Sequence, residues 1–89
     1  MSIYLLDGKD MTSREAAYEL IAREMDFPDY FGKNLDALYD CLTEKNADNT
    51  VIFVNTAILE EYLGDYAEKI LSCFRDASSE CGFILREKR

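Results

Sequence analysis

Three carboxylates, Asp36, Asp40 and Glu44, recur at four-residue intervals in a stretch that reads FPDYFGKNLDALYDCLTE from Phe27 to Glu44. On a helix that spacing stacks them along one side, where neighbouring like charges repel by roughly 0.2–0.5 kcal/mol per pair. Folding alone does not favour such a stripe. Its chemistry is the attraction of cations, and a basic site on another protein is the use it suggests. Paired carboxylates also serve acid–base catalysis and the ligation of hard cations. Neither use has support around it. The chain has no histidine, the commonest base at neutral pH and the commonest transition-metal ligand. No nucleophile constellation accompanies the acids, and the chain is short for an enclosed substrate pocket. An enzyme is therefore not expected, nor a cofactor or metal.

Apolar periodicity defines the elements that must hold the stripe. Ile3 to Leu6 reads as a short strand closed by a tight turn at Asp7-Gly8. Thr12 and Glu15 form a capping box for a helix with Ala16, Ala17, Leu20, Ile21 and Met25 inward and Arg14, Glu19 and Arg23 outward. Between Asp26 and Asn34, Pro28 and Gly32 break the pattern into a shaped loop, Gly32 by permitting a conformation awkward for other residues. Leu35, Leu38 and Leu42, with Ala37 and Cys41 beside them, then face inward on the helix that carries the acids. After a polar turn from Glu44 to Asn49, TVIFV (Thr50 to Val54) reads as a central or well-covered strand. Thr56 caps a short helix containing Ile58, Leu59 and Tyr62, and Gly64 separates it from a longer one over Asp65 to Glu80. That helix turns Ala67, Ile70, Leu71, Phe74 and Ala77 inward and ends at Cys81-Gly82, before a last strand from Phe83 to Leu85. Strands alternating with helical crossovers predict an α/β fold with parallel strands.

With 89 residues and a mass of 10.3 kDa, one domain with one modest core is expected, and mass scaling gives it a folded surface of about 5,400 Å². Ten basic against eighteen acidic residues leave a net charge of −8. The resulting field repels phosphate backbones and anionic membranes, so no direct nucleic-acid or membrane binding is expected, and it accelerates the approach of a cationic protein. The opening MSIYLLDGKD lacks the basic lead and long apolar core of a secretory signal. Cys41, Cys73 and Cys81 are odd in number and lack CxxC spacing, which points to reduced thiols and a cytoplasmic location.

The segment Pro28 to Thr43, PDYFGKNLDALYDCLT, resembles the loop and following helix of the barstar family of bacterial ribonuclease inhibitors. The likeness extends over nearly the whole chain, through the N-terminal strand and capped helix, the central apolar strand, and Phe74-Arg75-Asp76 followed by Glu80. It implies a barstar-like α/β fold, a small three-stranded parallel sheet packed with helices, as a single domain over residues 1–89. It also implies an intracellular inhibitor that covers a ribonuclease active site with its second helix and the loop before it. The implied partner is a small basic ribonuclease of the extracellular type, bound before secretion or on cell entry by an inhibitor that is a monomer until then.

The resemblance places an aromatic contact at Tyr30, a polar position at the helix entrance at Asn34 and interface carboxylates at Asp36 and Asp40. Asp40 matches the dominant family acid, which occupies the enzyme's phosphate site and accepts charge-assisted hydrogen bonds from its basic side chains. Thr43 matches a further contact, Asp76 falls where the family has a longer glutamate, and Glu80 retains a glutamate. Tyr39 stands in place of a family tryptophan, and so does Lys45, which reverses the local electrostatic preference. Each residue also has a structural use. Asp36 suits the first helical turn, Asn34 a helix cap, and Thr43 a bond to its own backbone. Tyr30 and Tyr39 suit core packing, while Asp40, Glu44, Asp76 and Glu80 suit a solvated surface. Phe31 is expected to anchor the loop. The rival function is a non-catalytic acidic interaction module that regulates another basic protein.

Overall fold

The computed structural model describes residues 1–45 and 47–89, which form a three-stranded parallel sheet packed against four helices. Their order is β1 (Ser2–Asp7), a 3-10 turn (Gly8–Asp10), α1 (Arg14–Glu24), α2 (Leu35–Leu42), β2 (Asn49–Val54), α3 (Thr56–Leu63), α4 (Asp65–Cys81) and β3 (Ile84–Glu87). β2 lies in the middle, as its apolar run suggests. It pairs with β1 from Ser2 opposite Asn49 to Asp7 opposite Val54, and with β3 from Thr50 opposite Ile84 to Phe53 opposite Glu87. The expected polar turn from Glu44 to Asn49 includes Asn46, which lies outside the described residues.

Alternation along the strands decides which sheet face is covered. Leu6, Val51 and Phe53 are buried in one core with Leu20 and Ile21 of α1, Leu38 and Leu42 of α2, Leu59 of α3, and Ile70 and Phe74 of α4. Each such side chain is worth about 1.5–3 kcal/mol of transfer free energy. The rings of Phe53 and Phe74 meet edge-on with centroids 5.4 Å apart. On the opposite sheet face Ile3, Leu5 and Ile84 stay exposed, so β2 is central but covered from one side. The accessible surface is 5131 Å², close to the mass-scaled expectation.

Three local expectations are corrected. Ser13, not Thr12, caps α1, because Ser13 is the last extended residue before the helix and its Oγ accepts the Ala16 amide at 3.0 Å. Gly8 opens the 3-10 turn and is there for close approach, since a Cβ at this position would collide with the Asn55 carbonyl. Thr56 is the first residue of α3 rather than its cap. The cap position belongs to Asn55, whose left-handed backbone (φ 56°) turns its amide away from the helix and onto the Asp7 carboxylate at 2.7 Å. Gly64 (φ 59°) separates α3 from α4 and Gly82 (φ 82°) terminates α4, both in backbone conformations that glycine accepts without strain.

Candidate protein-binding face

The loop before α2 is set by aromatic anchors and one cation. Phe31 packs between Phe27, at 5.2 Å between ring centroids, and Tyr18, at 6.0 Å. Tyr18 is itself held by a hydroxyl bond to Tyr66, and the Arg14 guanidinium lies 3.9 Å from the centre of the Tyr66 ring. Lys33 reaches back to α1, 3.1 Å from Glu19 and 3.9 Å from Glu15. With Phe31 packed inward and Lys33 tied along the surface to α1, Tyr30 points out and is 89% exposed. The unusual loop backbone belongs to Lys33 (φ 25°) and Asp26 (φ 54°), not to Gly32, as its glycine had suggested.

Asn34 joins this loop to α2 with both ends of its amide. Its Oδ1 accepts the Ala37 amide at 2.8 Å, capping the helix, and its Nδ2 donates to the Gly32 carbonyl. Leu38 and Leu42 then bury the inner side of α2 and turn Asp36 and Asp40 outward, but the helix ends at Leu42, so Glu44, expected as the third acid of the helical stripe, stands exposed in the turn just beyond it. Among the described residues none of these three acids, nor Asp76, forms an ion pair. Of the nearby cations, Lys33 is engaged on α1 and Arg75 between Glu68 (2.6 Å) and Glu87 (2.7 Å), while Lys69 lies along the groove toward α4. Lys45 does not reverse the charge of the face. Its ammonium turns inward to donate to the Met25 carbonyl at 3.1 Å, beneath the acidic crest and near the Tyr4 and Phe27 rings. The Thr43 hydroxyl donates to the Asp40 carbonyl at 2.9 Å, closing the last turn of α2.

A concavity flanks the crest on each side. Toward the loop, one of about 240 Å³ is lined by Tyr30, Ala37, Asp40, Cys41 and Glu44. Burial, reinforced by Glu44 and Asp40, pushes the Cys41 thiol up and keeps it protonated at neutral pH. Toward α4, a groove of about 550 Å³ is lined by Leu35, Tyr39, Glu68, Lys69, Cys73 and Asp76. At its edge the Tyr39 hydroxyl donates to Glu80 Oε2 at 2.9 Å, and this bond, more than burial, pushes the phenol up. Among the described residues no three His, Cys, Asp or Glu side chains converge as metal ligands.

The family described as Barstar (barnase inhibitor) matches this sequence from residue 1 to residue 89. The chain belongs to the barstar family. A protein of Bacillus subtilis (strain 168) named "Putative ribonuclease inhibitor YrdF" is 36% identical over 77 residues, covering 85% of each chain. Barstar-family proteins are non-catalytic inhibitors of barnase-like ribonucleases.

In this barstar-family chain the fold brings Tyr30, Asp40 and Glu44 around one concavity beside α2, with Asp36 exposed one turn before Asp40 and Tyr39 and Asp76 lining the groove on the α4 side. Asn34 and Thr43 lie on the same helix with their polar groups bonded to the chain. Glu80 joins through Tyr39. Sequence reasoning missed Leu35 as a surface residue, because its periodicity is that of the core. It sits half-buried at the end of the inward stripe and lines the α4 groove. The signal available was its place one turn before Tyr39, which puts the two side chains on the same flank.

Proposed function

We propose that this protein inhibits a barnase-type ribonuclease by laying α2 and the Tyr30 loop across the enzyme's RNA phosphate-binding site. The carrying observation is the crest made by Asp36 and Asp40 of α2 and by Glu44 in the turn just beyond the helix, all exposed with no ion pair among the described residues, while Lys33, Lys45 and Arg75 are engaged elsewhere. A carboxylate at Asp40 takes the position of a substrate phosphate and accepts hydrogen bonds from the basic side chains that would hold it. Tyr30 covers apolar area beside it, and its hydroxyl remains available for a hydrogen bond. Asp36, Glu44, Tyr39 and Asp76 surround this centre, with Glu80 bonded to the Tyr39 hydroxyl at its margin, and Asn34 and Thr43 shape the helix that carries it. The partner is a small basic ribonuclease of the extracellular type, met in the cytoplasm before secretion or on cell entry. The inhibitor is a monomer until then, and its acidity keeps it off RNA and anionic membranes.

A native, low-salt pull-down from bacterial extract, followed by an RNA-cleavage assay on the recovered partner, tests the reading. A saturable complex whose nuclease activity is lost in competition with RNA is expected. Recovery of a basic partner that cleaves no RNA, or of a nuclease that stays active in the complex, would replace it with an acidic regulatory module.

A further inference from the structure

We propose that Glu80 is a positioning residue, which holds the Tyr39 ring as a fixed wall of the α2–α4 groove and does not itself bind the partner; this rests on the ribonuclease-inhibitor reading of the same face. Tyr39 lies on the flank of α2 and packs half-buried against the core, with its hydroxyl at the groove's edge. An aromatic side chain at a helix flank has more than one staggered χ1 available, and a partner meets a defined wall only if one is selected. The selecting contact spans 41 residues of sequence, from the Tyr39 hydroxyl to Glu80 Oε2 at 2.9 Å, in the last turn of α4.

The other polar ties between these segments are weak thiol donors. Cys73 Sγ lies 3.8 Å from the Leu35 carbonyl at the start of α2, and Cys81 Sγ 3.3 Å from the Thr43 carbonyl at its end. The charged hydroxyl–carboxylate bond between them is the strongest of the three. It also divides two acids that sequence spacing makes look equivalent. Asp76, one turn earlier on α4, lines the groove with no ion pair among the described residues, whereas Glu80 is engaged by Tyr39. A glutamine at position 80 preserves an acceptor for Tyr39 and removes the charge. An alanine removes both. A direct ionic contact with the partner would therefore be lost in both variants, whereas a positioning role is lost only in the alanine variant.

The experiment uses the full chain in wild-type form and as Glu80→Gln, Glu80→Ala, Tyr39→Phe and the double variant Tyr39→Phe/Glu80→Ala, with folding checked by circular dichroism. In the free protein, NMR couplings about the Tyr39 Cα–Cβ bond should report one rotamer for wild type and Glu80→Gln and an average for Glu80→Ala. Against barnase as the probe, Glu80→Gln should bind within about twofold of wild type, while Glu80→Ala and Tyr39→Phe each weaken binding by about three- to tenfold and the double variant no further. A single Tyr39 rotamer in Glu80→Ala overturns the proposal. So does Glu80→Gln binding as poorly as Glu80→Ala while Tyr39→Phe binds normally, or additive losses in the double variant. Wild-type protein that leaves barnase uninhibited bears on the ribonuclease reading, and the rotamer measurement, made without a partner, still decides the positioning.

Discussion

Asp40 stands in the middle of the α2 crest with its side chain in no hydrogen bond or ion pair among the described residues, so its removal touches binding and leaves the fold intact. Asp40→Ala should weaken the complex with a verified ribonuclease partner by at least about 2 kcal/mol, roughly thirtyfold, because it leaves a desolvated basic site on the enzyme unpaired. Isothermal titration after circular dichroism checks this, and an unchanged dissociation constant would remove Asp40 from the centre of the interface. Alanine at Asp36 or Glu80 should cost less in the same titration. Asp36 lies one turn from the proposed phosphate position, and Glu80 acts through Tyr39. Lys45 shows why charge sign alone misleads at this scale: its residue type reverses the local electrostatic preference, yet its ammonium is bonded to the Met25 carbonyl under α2.

Helix α2 is only eight residues long, too short to be stable by propensity, so its position depends on the cap and on packing. Asn34 supplies the cap and ties the helix start to the Tyr30 loop with the same amide. Asn34→Ala should therefore lower stability by about 1 kcal/mol and also weaken binding, because helix start and loop lose their common anchor. Urea denaturation and titration on the same variant check both effects. A loss of stability with no change in affinity would mean that the loop is held by Phe31 and Lys33 alone. That pairing was legible in part. Asn34 as a cap and Phe31 as an anchor follow from residue type and position. The one-residue displacement of the α1 cap from Thr12 to Ser13 does not, because adjacent threonine and serine offer the same hydroxyl and only the backbone decides which is extended.

Across the whole molecule the net charge of −8 acts at a range that individual contacts do not. Association with a basic partner should slow as salt is added, because the Debye length falls from about 10 Å at 0.1 M to about 3 Å at 1 M. Stopped-flow rates over a salt series check it, and a salt-independent rate would remove electrostatic steering. Alkaline stability has a separate cause in the core. Burial, then the Asp76 and Asp36 carboxylates, push the Cys73 thiol up to about 11. Unfolded thiols ionise near 8.5, so this contribution is complete below about pH 8.5 and is lost as pH rises toward 11. Urea midpoints at pH 7.5 and 10 should fall more for wild type than for Cys73→Ala. The sequence by itself determined the order of strands and helices, the inward stripes and the outward acids, because these are periodicities of two or about 3.6 residues written locally. It also carried the family resemblance. Only the tertiary structure decided that the sheet is covered on one face, that Gly8 makes room for Asn55, that Lys45 is turned inward, and that Tyr39 meets Glu80. Each of these joins residues far apart in the chain. Local spacing carries no information on which such groups will meet, since that is set by how the helices pack on the sheet.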